Sequence, residues 1–140
     1  IWIVAQSAHE TAYWTSNVFK ANNNGFGMKM PSQRNSPYIL GPGTQPPAGE
    51  GPTPYAKYSN IENSTRDIVH WLNYHNVNWN AITTPQQYVQ FLRSKNYFYG
   101  SESTYINNVA SFADQLQGYI GGSGMLDIAL LGLLVYFAFR

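Results

Sequence analysis

The sequence predicts a mainly α protein of the α+β type, with a small β-hairpin lobe set among the helices and an apolar helix closing the chain. Three observations carry that reading. Apolar residues recur at three- and four-residue spacing in four separate segments. Between residues 31 and 54 lie seven of the eight prolines and four glycines, which forbids a regular helix there. After residue 124 the composition turns abruptly apolar. The 140 residues suit a single core, so the chain divides into a domain over residues 1–117, a glycine-rich linker over 118–124 and an apolar helix over 125–140.

In order, residues 2–13 read as a helix, with Trp2, Ala5, His9 and Ala12 on one face and Glu10 near its end. Asn22, Asn23, Asn24, Gly25 and Gly27 tolerate positive φ and mark a tight turn. In the proline-rich segment and just after it, residues 38–40 and 55–58 are the expected short strands. Ser59 and Glu62 form an S-x-x-E capping pattern ahead of Ile61, Thr65, Ile68 and Leu72, a helix expected to reach about His75. Thr84, Pro85 and Gln87 supply a cap, a first-position proline and a reciprocal partner for a helix carrying Tyr88, Val89 and Leu92. A fourth helix is expected over 103–117, with Tyr105, Val109, Phe112 and Leu116 inward.

The four glycines of 118–124 predict a flexible joint. Residues 125–139 carry one charge, Asp127; as a helix they cover roughly 22 Å, short of the roughly 30 Å hydrocarbon core. Length favours a buried helix, whereas the all-round apolar surface beyond a glycine joint favours a membrane anchor. Membrane contact through residues 125–140 is the expectation, and the other reading is a helix folded onto the domain or a partner. Ile1 stands without an initiator Met, as in a processed or truncated chain, and no basic-then-apolar leader opens the sequence.

Charge and composition narrow the function classes. Eight Lys and Arg against seven Asp and Glu leave a net charge of +1 with no basic cluster, which argues against nucleic acid as a partner. With no cysteine, thiol nucleophiles, disulfides and Cys-based zinc sites are excluded. His9-Glu10 lacks the second histidine of a zinc-binding H-E-x-x-H, because Tyr13 stands there, and His70 and His75 are five apart rather than four. No metal site and no cofactor are expected. Neither a phosphate-cradling glycine loop nor a G-x-S-x-G elbow occurs. Aromatic residues make up 16% of the chain, a palette suited to stacking on sugar rings.

Glu10 is the sharpest candidate for chemistry. It ends an apolar and aromatic segment and is followed by Tyr13, Trp14 and Phe19, surroundings that disfavour the charged carboxylate and raise its pKa. A carboxyl that keeps its proton near neutral pH can deliver it to a leaving oxygen, as a glycosidase acid must.

The stretch Ala5-Gln6-Ser7-Ala8-His9-Glu10-Thr11-Ala12-Tyr13-Trp14-Thr15-Ser16, followed by Asn23-Asn24-Gly25-Phe26-Gly27-Met28-Lys29, resembles the glucosaminidase domains of glycoside hydrolase family 73. Those carry an A-Q-x-x-x-E-[ST]-G-W-G-x-S helix end and an N-N-L-F-G-I-K turn. Tyr55, Tyr58, Ser59 and Asp67 are similar to the aromatic lead-in of the family's next helix, and Tyr97 and Tyr105 to its Y-x(7)-Y element. The likeness spans residues 2–116. Ala12 and Trp14 stand where the family prefers Gly, and Gly25 where it prefers Leu.

The resemblance implies a lysozyme-like α-lobe and small β-lobe with a cleft between them, and cleavage of a β-1,4 bond in bacterial peptidoglycan. Glu10 matches the family's general acid. The second carboxylate is expected in the β-lobe, where Glu50 is the only acidic residue between Glu10 and Glu62; a catalytic group and a solvent-exposed turn residue are both open for it. Tyr97, Tyr13, Trp14 and Phe26 are the expected sugar contacts, and Asn23, Asn24 and Lys29 expected hydrogen-bonding groups. N-acetylglucosaminidase or muramidase hydrolysis, a lytic transglycosylase giving 1,6-anhydro-muramyl ends, and a non-catalytic glycan-binding or structural protein are the competing readings. A membrane-associated setting in a bacteriophage virion or a bacterial cell envelope, with assembly onto other virion or envelope proteins, is the expectation that goes with them.

Overall fold

The structure, a computed structural model, describes residues 1–121. The apolar segment 125–140, with the anchor expected of it, lies outside the described residues. Among those described, no helix is long and apolar enough to cross a membrane.

Five helices and a two-stranded antiparallel sheet make up the described chain. The first helix, α1 (Trp2–Glu10), stops short of the expected residue 13. Ala12, Tyr13 and Trp14 follow with φ of 48°, 56° and 59°, a left-handed turn that costs roughly 1–2 kcal/mol per residue bearing a Cβ. Local hydrogen bonds offset that. Thr11 Oγ1 donates to the Ser7 carbonyl at 2.6 Å and accepts from Trp14 N at 2.8 Å, while the amides of Thr15 and Ser16 both reach the Thr11 carbonyl at 3.0 Å. Ala12 and Trp14 occupy the two places where the resembled motif carries glycine, and their left-handed backbone is the physical reason for glycine there.

A short helix that periodicity cannot reveal, α2 (Asn17–Asn22), comes next, with Ser16 Oγ accepting from Phe19 N at 3.2 Å. The expected hairpin forms between β1 (Gly41–Pro42) and β2 (Ala56–Lys57), in the register Gly41 to Lys57 and Pro42 to Ala56. Its first strand is therefore not at 38–40. Just past the strand the chain closes on α2: a Cβ at Gly43 would lie 2.3 Å from Asn22 Oδ1. Only glycine lets the chain dock where Asn22 accepts from Thr44 N at 3.1 Å and donates to Thr44 Oγ1 at 2.7 Å. On its other side β2 takes the 28–30 segment, with Ala56 N on the Met28 carbonyl at 2.8 Å and Met30 N on the Pro54 carbonyl at 2.9 Å.

Helix α3 (Ile61–Tyr74) is capped by Asn60, whose Oδ1 accepts from Asn63 N at 2.9 Å, not by the expected Ser59 and Glu62. Ser59 Oγ takes the Asn63 side chain instead, and Glu62 pairs with Arg66 on the exposed face. The Thr84 and Gln87 capping box opens α4 (Pro85–Ser94) as the sequence predicts. Helix α5 (Glu102–Gly121) runs past residue 117, so the first four residues of the expected joint are helical. The helices α1 and α4 both pack on α5. The core gathers Ala5, Phe26, Ile68, Leu72, Tyr88, Val89, Leu92, Tyr105 and Val109.

Candidate active site

A cleft of about 1100 Å³ lies between the lobes, walled by the 24–34 segment and the 49–55 loop on one side and by the end of α3 and residues 95–100 on the other. Glu10 lines it. The left-handed turn after Glu10 ends the helix at that residue, which puts the carboxyl at a terminus rather than on a helix flank.

Two features fix the Glu10 carboxyl. The Tyr105 hydroxyl donates to Oε1, and Tyr105 is itself held between Phe98, stacked at 4.2 Å, and His9, edge-on at 4.3 Å. On the other oxygen, a Cβ at Gly27 would lie only 3.3 Å from Oε2, and Gly27 has φ of 61°. Burial pushes the Glu10 pKa up to about 7 from 4.5, against the opposing pull of the Tyr105 hydrogen bond. The same burial and the neighbouring carboxyl hold the Tyr105 phenol well above its ordinary value, so it stays a donor.

Glu50 lines the same cleft from the β-lobe but in a different state. Its side chain is 50% exposed and lies 3.8 Å from Lys29 Nζ. Its Oε2 accepts from Tyr55 OH at 2.8 Å, and Lys29 Nζ donates to its backbone carbonyl at 2.6 Å. Burial, the Glu50 bond and charge, and the more distant charge of Glu10 push Tyr55 up to about 12.

Behind the cleft stands a cluster that residue order conceals. Asp67 of α3 is fully buried and accepts from both Nη atoms of Arg34, from Ser36 Oγ and from Tyr58 OH. Arg34 Nη1 also reaches His70 Nδ1 at 2.9 Å. Burial works to raise the Asp67 pKa, yet the bonds from Arg34, Ser36 and Tyr58 hold it below 3.8.

The other expected site residues separate. Tyr97 lines the cleft, with its hydroxyl on the Phe26 carbonyl. Lys29 lines it too, engaged with Glu50. Phe26 is 2% exposed and belongs to the core, so its ring is not offered to a ligand. Asn24 reaches the cleft wall, but its side chain is spent on the turn and β2: Oδ1 accepts from Phe26 N and Met28 N, and Nδ2 donates to the carbonyls of Met28 and Ala56. The left-handed turn carries Tyr13 away to pack edge-on against Phe112 of α5 at 4.6 Å. Trp14 donates through Nε1 to Ser7 Oγ at 3.0 Å, and neither ring is among the groups that line the cleft. Asn23 donates to the Tyr58 and Ser59 carbonyls.

Sequence reasoning passed over Trp71, Tyr74, His75, Lys95 and Tyr99, which form the α3 and α4–α5 side of the cleft. The available signal was Tyr99, an aromatic residue beside Gly100 in a loop with no apolar stripe to join. Among the described residues no group of three or more His, Asp or Glu is placed to hold a metal ion.

A family model, Glucosaminidase, described as mannosyl-glycoprotein endo-beta-N-acetylglucosaminidase, matches residues 2–118. No curated protein sequence matches the chain. The fold is similar to that of a chain in the structure of a type VI secretion system effector-immunity complex from Pseudomonas protegens. The TM-score is 0.60 and the identity 17%, covering 81% of this chain and 74% of that one. Neither comparison connects the chain with a bacteriophage or a virion.

Proposed function

The chain belongs to the glucosaminidase family, and on that premise we propose that it cleaves a β-1,4 glycosidic bond in the glycan strand of bacterial peptidoglycan, with Glu10 as the proton donor. The observation that carries this reading is a carboxyl in an open cleft, raised to about 7 by burial and therefore still largely protonated where an ordinary glutamate is ionised.

In the proposed reaction the glycan lies along the cleft with the scissile oxygen at Glu10. As the bond to C1 breaks, the Glu10 proton passes to the leaving oxygen, and the sugar left behind gains oxocarbenium character. The Tyr105 hydroxyl, donating to Oε1, orients the carboxyl and stabilises the anion that forms when the proton leaves. In hydrolysis Glu50, which lines the cleft 3.8 Å from Lys29 Nζ, serves as the second carboxylate, activating water or supporting the cationic centre; the substrate's own acetamido oxygen is the other group suited to that task.

One feature favours a second reading. Glu10 is the one part-buried carboxyl that lines the cleft among the described residues, Glu50 being exposed, and a lytic transglycosylase needs a single carboxyl: it protonates the leaving oxygen and then draws the proton from the muramyl 6-hydroxyl as the anhydro ring closes. Mass analysis of digested sacculi decides. Reducing ends indicate hydrolysis, with GlcNAc or MurNAc at that end naming the bond, and 1,6-anhydro-muramyl ends indicate the transglycosylase. Wild-type protein inert on purified sacculi overturns the catalytic reading in favour of a glycan-binding module. Activity on this substrate places the protein's action at a bacterial cell envelope.

A further inference from the structure

The turn at Ala12–Trp14 holds three consecutive residues with side chains in left-handed backbone, and strain of that kind persists where the surrounding structure draws a use from it. The use lies seven residues back. With φ of 59°, Trp14 brings its indole to α1, and Nε1 donates to Ser7 Oγ at 3.0 Å. Thr11 supports the same approach: its Oγ1 accepts from Trp14 N at 2.8 Å and donates to the Ser7 carbonyl at 2.6 Å. Main chain and side chain of residue 14 are therefore both tied to residue 7.

Ser7 passes the connection on. It is 6% exposed, and its hydroxyl donates to the Gly25 carbonyl at 2.8 Å. The Gly25 amide in turn donates to Ser64 Oγ of α3 at 2.9 Å. A Cβ at residue 25 would lie 2.6 Å from Ile61 Cδ1 and 3.2 Å from Ser7 Oγ, so the bare glycine lets two serines close on one residue. Two positions further on stands Gly27, whose Cβ position is 3.3 Å from Glu10 Oε2. Asn24 Oδ1 fixes the backbone between, accepting from Phe26 N at 3.3 Å and Met28 N at 3.1 Å. The turn that flanks one oxygen of Glu10 is thus tied to α1 and α3 through Gly25.

We propose that Trp14 is a positioning residue for Glu10: its indole N–H, acting through Ser7 and Gly25, holds the 25–27 turn against the carboxyl. The inference rests on the reading of Glu10 as the proton donor and adds to it a group outside the cleft lining. Desolvation is the means. A turn held close keeps water from Oε2 and disfavours the carboxylate, whereas a loosened turn admits water and lets the proton go at lower pH.

The test follows the Glu10 carboxyl by carbon NMR in protein labelled at its four glutamates, with Glu10→Gln identifying the signal. Trp14→Phe keeps a ring and removes the N–H, and Ser7→Ala removes the relay. Each is expected to lower the titration midpoint by about half a pH unit, and the double variant to lower it no further than Ser7→Ala alone. Tyr13→Ala, on the same turn but packed on Phe112, is expected to cost stability and leave the midpoint in place. An unmoved midpoint in the single variants, an equal move in Tyr13→Ala, or additive moves in the double variant each overturn the proposal; either single variant carries the test alone if the other does not fold. On sacculi the alkaline limb of kcat is expected to move to lower pH by the same margin with KM unchanged. Sacculi left intact by the wild type defeat the catalytic reading, while the carboxyl titration still decides the role of Trp14.

Discussion

Glu10 and Asp67 are both carboxyls withdrawn from water, one at the end of α1 and the other in the middle of α3, and their pKa values move in opposite directions. Burial raises both. At Asp67 a guanidinium, a hydroxyl and a phenol all donate to the two oxygens, and the ionised form wins. At Glu10 a single phenol donates, and the protonated form persists to about pH 7. What separates the structural carboxylate from the proposed acid is the number of donors supplied with the burial. Glu50, half-exposed and next to Lys29, is the third carboxyl, set at the surface of the same cleft.

The strongest way to break that contrast is to remove the proton. Glu10→Gln is expected to lower the rate of sacculus cleavage by about a thousandfold, read by product release; retention of more than a tenth of the rate would show that another group supplies the proton. Asp67→Asn is expected to leave Arg34 buried against a neutral partner and to destabilise the fold by about 3–5 kcal/mol, read by denaturant unfolding.

The two sites also predict opposite pH linkage. Because the folded Glu10 pKa is raised, its contribution to stability is complete below about 4.5 and is lost as pH rises to about 7, a fall of about 2–3 kcal/mol that Glu10→Gln abolishes. Asp67, lowered on folding, contributes above its ordinary 3.8 and loses that contribution as pH falls further. A stability curve for Glu10→Gln that parallels the wild type between pH 4.5 and 7 would contradict the assignment. Removing the one donor with Tyr105→Phe is expected to shift the alkaline limb of activity to higher pH, with a severalfold loss of rate. The smallest effect belongs to the backbone that ends α1: Ala12→Gly is expected to stabilise the fold by about 0.5 kcal/mol, the relief of a left-handed alanine set against greater unfolded-chain freedom.

The helices were legible wherever a 3.6-residue stripe coincided with a cap, as at Thr84 and Gln87. Glu10 was legible because its ring-rich neighbourhood lies within the same dozen residues. The turn at Ala12–Trp14 was not, since three residues with side chains give no local sign of left-handed φ, and that turn is what sends Tyr13 and Trp14 away from the cleft. In the β-lobe Gly43 meets Asn22 across 21 positions of sequence, a contact made only after the chain has folded back. The Arg34–Asp67 pair spans 33 positions of sequence with no spacing rule to announce it. Tyr99 and Lys95 sit in a loop, where periodicity is silent.

Gly27 leaves room beside the carboxyl proposed as the acid. With Oε1 accepting from Tyr105, Oε2 is the oxygen left for a proton, and a Cβ at position 27 would lie 3.3 Å from it. The bare backbone at that position is thus a keyhole: a methyl group there would force Oε2 to give by a few tenths of an ångström, on a backbone whose φ of 61° already strains any side chain.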